Sequence, residues 1–306
     1  MRLNRLLAVA VLVPVLAACA STANEQSASS APASSTSTSA PVADKPKVVA
    51  AFYPLQYAAS EIGGSAVDVS NLTQPGIEPH DLELSAQQVG QIADADLVLY
   101  IKGFQPAVDE AIAQQAPDKA IDVSAALQQL SLDGAADPHV WLDPANMALI
   151  GNEISRRLAE ISPANSESYK KNAATLTAAM AALTSEFQSG LAACRTKTMV
   201  VSHDAFGYLA KAFGLTQVGI SGLSPEAEPS PARIKDVAEI VAKEGVTTIY
   251  YETLVDPKVA QTLADETGAT AAKLDPLEGL EAGSSSDYSS VMRENLATLI
   301  TGQGCA

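Results

Sequence analysis

The chain has 306 residues, with 19 basic against 35 acidic side chains and a formal charge of −16 at pH 7. No basic patch is available to hold a phosphate backbone, which excludes nucleic acid as a partner class. A negative field favours the approach of cations modestly and also keeps an exported protein soluble, so charge alone does not choose a function.

Arg2 and Arg5 give a short basic start, and residues 6–18 are apolar, broken only by Pro14. Thirteen residues fall short of the roughly 20 that a membrane-crossing helix needs, so residues 1–18 read as a secretory signal. The run ends at Leu16-Ala17-Ala18-Cys19, which resembles the lipobox of bacterial lipoproteins. That resemblance implies that Cys19 is lipidated and anchors the chain on the extracytoplasmic face of the cell membrane. Residues 20–46 are mostly Ser, Ala, Thr and Pro without apolar periodicity, the composition of a disordered tether. With Cys19 assigned to the anchor, Cys194 and Cys305 remain as an even pair in an oxidising compartment, which predicts a disulfide. Neither lies in a close-spaced Cys-x-x-Cys or beside a histidine, which argues against a thiolate metal site.

From residue 47 onward, short β-branched runs alternate with helical stretches. Strands are expected at 48–52, 67–72 and 96–101, with helices at 55–63, 85–93 and 106–115. Helices follow at 144–160 and 163–193. Ser162-Pro163 opens the second with a capping residue and a proline in its first turn. At 1.5 Å per residue that helix would span roughly 45 Å, and its Ala-rich faces lack the sustained heptads of a coiled-coil dimer, which leaves a monomer as the expectation. Strands at 198–202, 217–220, 247–251 and 270–274 then alternate with helices at 205–213, 231–243, 257–267 and 288–301. The pattern predicts an α/β fold of two lobes, 47–162 and 196–306, each with a mostly parallel sheet flanked by helices, joined by a long helix over 163–195. Open sheets of this class bind ligands beyond the carboxyl ends of their strands.

All three histidines sit in loops or at strand ends, where functional residues concentrate. His80 lies in Pro79-His80-Asp81, His139 in Asp137-Pro138-His139-Val140-Trp141, and His203 in Ser202-His203-Asp204-Ala205-Phe206-Gly207-Tyr208. In this order the three segments resemble the histidine motifs of the solute-binding lipoproteins of zinc and manganese ABC importers. The likeness extends to Glu226-Ala227-Glu228-Pro229-Ser230 and to Leu274-Asp275-Pro276-Leu277.

The resemblance implies a Zn2+ site shared by the lobes, with His80 and His139 from the first and His203 and Asp275 from the second. Glu252 is the substitute ligand or an outer acceptor, while Glu78, Asp81, Asp143 and Asp204 are candidate acceptors for the other imidazole N–H groups. Three imidazoles and a carboxylate suit tetrahedral zinc, whereas manganese favours oxygen donors. Manganese members of the family typically carry Glu where this chain has His203. The implied partner is an ABC permease in the membrane, and the implied role is capture and delivery without catalysis. Four protein ligands leave no open position for an activated water, and a zinc hydrolase would need a motif such as His-Glu-x-x-His, which is missing. One family feature is also absent: residues 128–136 are short and hold no histidine where many zinc members carry a His-rich loop.

Overall fold

The computed structural model describes residues 44–306; the expected signal segment, Cys19 and nearly all of the tether lie outside the described residues. In the first lobe, four short strands pair in parallel: β1 (Lys47–Ala50), β2 (Asp68–Asn71), β3 (Leu97–Tyr100) and β4 (Ala120–Asp122). Their spatial order is β2-β1-β3-β4, with Lys47 opposite Asp68 and Val48 opposite Leu97. Helices α1 (Tyr53–Gly63), α2 (Ala86–Asp94) and α3 (Pro106–Gln115) provide the crossovers that a parallel sheet requires. Ser85 caps α2 through a capping box with Gln88.

The sequence pattern did not indicate β4 or the small hairpin of β5 (Ser131–Leu132) and β6 (Ala135–Ala136). β4 is a three-residue edge strand without a fully buried position, so it lacks the apolar run that marks inner strands. The hairpin turns on Asp133 and Gly134, both with positive φ (51° and 88°). An Asp-Gly pair is the local signal for such a turn.

Helix α4 (Pro144–Ile161) is capped by Asp143, and a single 3-10 turn at Pro163–Asn165 leads into α5 (Ser166–Gly190). At 25 residues α5 spans roughly 37 Å, shorter than the sequence reading, because its first turn is 3-10 and helical hydrogen bonding stops before Cys194. Its buried stripe of Tyr169, Ala173, Leu176, Met180, Leu183 and Phe187 follows helical spacing. That stripe lets α5 pack against α1 and α4 of the first lobe.

The second lobe repeats the first. Strands β7 (Thr198–Val201), β8 (Thr216–Gly219), β9 (Thr248–Tyr251) and β10 (Thr270–Lys273) form a parallel sheet in the order β10-β9-β7-β8. Counted within each lobe, both sheets run 2-1-3-4, so the strand order reverses between β1 and β3 and again between β7 and β9. Helices α6 (Gly207–Phe213), α7 (Pro231–Glu244), α8 (Lys258–Thr267) and α9 (Tyr288–Gly302) connect and close the lobe. Helix α9 also touches α5.

One continuous apolar core runs from Val48 and Trp141 through the α5 stripe to Phe213, Met292 and Leu299, crossing from lobe to lobe. A smaller cluster of Val200, Val237, Val241, Ile249 and Leu263 fills the second lobe. A disulfide joins Cys194 to Cys305 across 111 residues, tying the strand entry of the second lobe to the end of the chain. Among the described residues no helix is long and apolar enough to cross a membrane.

Candidate metal centre

Four side chains from four separate loops converge between the lobes: His80, His139, His203 and Glu278. His80 follows β2 in a loop of tight turns, where Gly76 adopts φ +85° and the Glu78 carboxylate accepts from the His80 backbone N–H at 3.0 Å. His139 sits just after the β5–β6 hairpin, whose base is held from the other lobe. Tyr208 accepts from Leu130 N at 2.9 Å and donates to Asp137 O at 3.0 Å. His203 lies two residues beyond β7, and Glu252 one residue beyond β9, at the point where the strand order reverses. Glu278 lies beyond β10. The site therefore occupies the position that open α/β sheets provide, past the carboxyl ends of their strands.

The geometry is that of a coordination shell. Oε1 of Glu278 lies 3.3 Å from His80 Nε2, 3.2 Å from His139 Nε2 and 3.1 Å from His203 Nε2. The two latter nitrogens are 3.3 Å apart. A tetrahedron with metal–donor bonds of about 2.0–2.1 Å has edges of about 3.3–3.4 Å. Second partners aim the rings. Asp137 Oδ1 lies 2.8 Å from His139 Nδ1 and also accepts from its backbone N–H at 3.0 Å. Glu252 Oε2 lies 2.7 Å from His203 Nδ1, an ion-pair contact whose angle falls short of a hydrogen bond. With a proton held on Nδ1 in each case, the Nε2 lone pairs face one another and an anionic oxygen. Such a set of converging acceptors is stable only around a cation. His139, His203 and Glu278 are at most 2% exposed and His80 is 9% exposed, so the approach from solvent is on the His80 side.

In the absence of a metal, protons take that role. Burial works to lower the His203 pKa, but the charges of Glu278 and Glu252 outweigh it and push it up to about 10. Burial likewise opposes protonation of His139, yet its hydrogen bonds to Asp137 and Glu278 carry its pKa upward. For His80 burial wins over Glu278 and the pKa is lowered. Burial alone would raise the Glu278 carboxyl; the charge on His203 and the hydrogen bonds from all three rings bring it well below the ordinary value.

The structure places the expected residues unevenly. His80, His139 and His203 come together, but the fourth position expected for Asp275 is filled by Glu278, three residues later. Asp275 is turned back into its own loop: its Oδ1 accepts from Leu277 N at 2.8 Å, as in an Asx turn, and burial raises its pKa to about 6. Glu252 stands behind His203 and not in the shell. None of the four candidate imidazole acceptors serves as one. Glu78 holds the His80 backbone, Asp81 is exposed, Asp143 caps α4, and Asp204 accepts from Gly219 N at 2.9 Å. The residues that sequence reasoning missed are Glu278 and Asp137. Asp137 was legible as the acid two before His139, whereas nothing local marks Glu278 apart from its place beyond the last strand.

The chain is similar to known zinc-uptake proteins. A family model described as the periplasmic zinc-uptake complex component A, ZnuA, matches residues 48–302. The zinc-binding protein AdcA of Streptococcus pyogenes serotype M6 is 35% identical over 285 residues, a match that covers 83% of this chain. This chain spans 55% of that relative's length. The high-affinity zinc uptake system protein ZnuA of Bacillus subtilis is 32% identical over 277 residues, covering 84% of this chain and 87% of that protein. Among solved structures, the laminin-binding protein Lmb of Streptococcus agalactiae, described as bifunctional with adhesin and metal-transporting activity, superposes with a TM-score of 0.78. It is 34% identical, covering 85% of this chain and all of that one. On a family match that runs through both lobes, from residue 48 to 302, the chain belongs to the ZnuA family of zinc-uptake complex components.

Proposed function

We infer that the chain captures one Zn2+ between its lobes, through Nε2 of His80, His139 and His203 and the carboxylate of Glu278, and delivers it to an ABC-type importer in the membrane. The observation that carries this reading is a carboxylate oxygen of Glu278 lying 3.1–3.3 Å from three imidazole nitrogens, two of which are 3.3 Å from each other. Three nitrogen donors favour zinc over manganese, and copper, which would bind such a set more tightly, is held off by its availability and its preference for tetragonal geometry. The donor set fills a tetrahedral shell, so no position remains for a reacting water, and the role is binding and not catalysis. The importer as partner is supported by the uptake-complex description of the family and by the zinc-uptake relatives. The apolar leader and its Leu16-Ala17-Ala18-Cys19 end support lipid anchoring at Cys19, outside the cytoplasm, for a protein that acts as a monomer.

Titration of metal-free protein against a competing chelator tests the reading. One zinc per chain is expected, and Glu278→Gln should weaken binding by about 100-fold while leaving some affinity to the three rings. A stoichiometry far from one, or unchanged affinity in the variant, would overturn it.

A further inference from the structure

We propose that Trp141 is a positioning residue for Glu278, holding the second lobe's carboxylate in the shell from the first lobe. The proposal rests on Glu278 being a zinc ligand. After β10 the chain leaves its own sheet, and residues 275–280 run against the first lobe as a strap. Two hydrogen bonds clasp the strap from that lobe, one on each side of Glu278. Trp141 Nε1 donates to Pro276 O at 2.8 Å, and Gly76 N donates to Leu280 O at 2.7 Å. Each donor is tied to another ligand, since Trp141 stands two residues after His139 and Gly76 four before His80.

The strap needs this clasp. Leu277, fully buried, adopts φ +55°, a left-handed conformation that is unfavourable for a residue with a branched side chain and persists only where the surroundings over-determine it. Within the second lobe, Asn295 bonds both the N–H and the carbonyl of Asp275, and Asp275 accepts from Leu277 N. These bonds fix the root of the strap and leave its crossing to Trp141 and Gly76. The Trp141 ring cannot follow a wandering strap. It is completely buried against Phe52 and Phe104, with ring centroids 4.7 and 5.3 Å away, and Tyr288 donates to its carbonyl at 2.6 Å. Losing the indole N–H frees the Pro276 carbonyl and allows Leu277 to relax toward an ordinary φ, which draws Glu278 out of the shell.

A double-mutant cycle separates positioning from ordinary packing. Zinc affinity is measured by chelator competition for the wild type, Trp141→Phe, Glu278→Gln and the double variant, with Co2+ absorption as a second readout. Trp141→Phe keeps an aromatic ring and deletes the donor. We expect it to weaken zinc binding by about tenfold in the wild-type background and by less than about twofold beside Glu278→Gln. Its Co2+ spectrum should move toward that of Glu278→Gln. Equal losses in both backgrounds, or no loss in the wild type, would overturn the proposal alone. Wild-type affinity in Glu278→Gln would overturn the ligand assignment beneath it. If Trp141→Phe does not reach the wild-type circular dichroism spectrum, Tyr288→Phe, which releases the Trp141 carbonyl, enters the same cycle. A loss confined to the wild-type background is again expected, and the absence of that coupling is disproof.

Discussion

In the proposed zinc site Glu278 is the one anion among three imidazoles, and it decides what the site holds when the metal is away. Its charge, joined by Glu252, keeps a proton on His203 well above neutral pH. Zinc must displace that proton, because imidazole binds a metal only through a free lone pair. The sign follows directly: a proton bound in the empty site and lost on loading is a competitor that strengthens as pH falls. Affinity should therefore drop by at least about tenfold per pH unit between 7.5 and 5, and more steeply in the acid part of that range, where His80, whose pKa burial lowers, is protonated as well. Calorimetric titrations in buffers of different ionisation enthalpy should also count one or more protons released per zinc at pH 7.5. A flat affinity across this range would mean that the histidines are not the donors. The same residue shows where local reading stops. Pro-His-Asp or Asp-Pro-His announces a histidine in a fixed turn, but Glu278 is recognisable only once the strap has folded across to the other lobe.

At the scale of elements, α9 does more than close the second lobe. Its Asn295 anchors the root of the strap and its Tyr288 holds Trp141, so the order of α9 bears on the metal site. The helix begins with a capping box in which the Asp287 carboxylate accepts from Ser290 N at 2.7 Å and Ser290 Oγ accepts from Asp287 N at 2.8 Å. Asp287→Ala should lower the unfolding free energy by about 1 kcal/mol in urea denaturation. The backbone and side-chain hydrogen bonds from Ser290 hold the Asp287 carboxyl below its ordinary value. A lowered carboxyl pKa stabilises the fold above the ordinary carboxylate range. The difference between the two proteins should therefore be full at pH 7 and vanish as pH falls through the lowered value. Most elements of this kind were legible. The inner strands have β-branched runs, and α4, α7 and α9 begin at Asp, Ser or Asp caps. β4 and the β5–β6 hairpin were not found, because strands of two or three partly exposed residues are specified by pairing and turn geometry, and carry little pattern of their own.

For the molecule as a whole, the two lobes share one core, and α5 packs on helices of both. Hinge closure would have to tear that core, so zinc should draw the lobes together only slightly. Small-angle scattering of the empty and loaded protein should give indistinguishable radii of gyration, and a large contraction on loading would contradict the shared core. The Cys194–Cys305 bridge encloses the entire second sheet. Closing a loop of that length restrains the unfolded chain strongly, and replacing both cysteines by serine should cost about 2–5 kcal/mol of unfolding free energy by denaturant titration.

Composition and order along the chain were enough to determine a two-lobed α/β fold, three histidines in loops or at strand ends, and a pair of cysteines in the folded body free to bond. Those properties depend on local periodicity, turn chemistry and residue type, all of which are written in neighbouring positions. Tertiary structure alone decided which carboxylate meets the three imidazoles, that Glu252 stands behind His203, and that the two lobes share one core. Glu278 lies 198 residues from His80 and meets it through a strap that the other lobe holds in place. No local preference encodes such a meeting, since its energy resides in contacts that exist only after both lobes have folded.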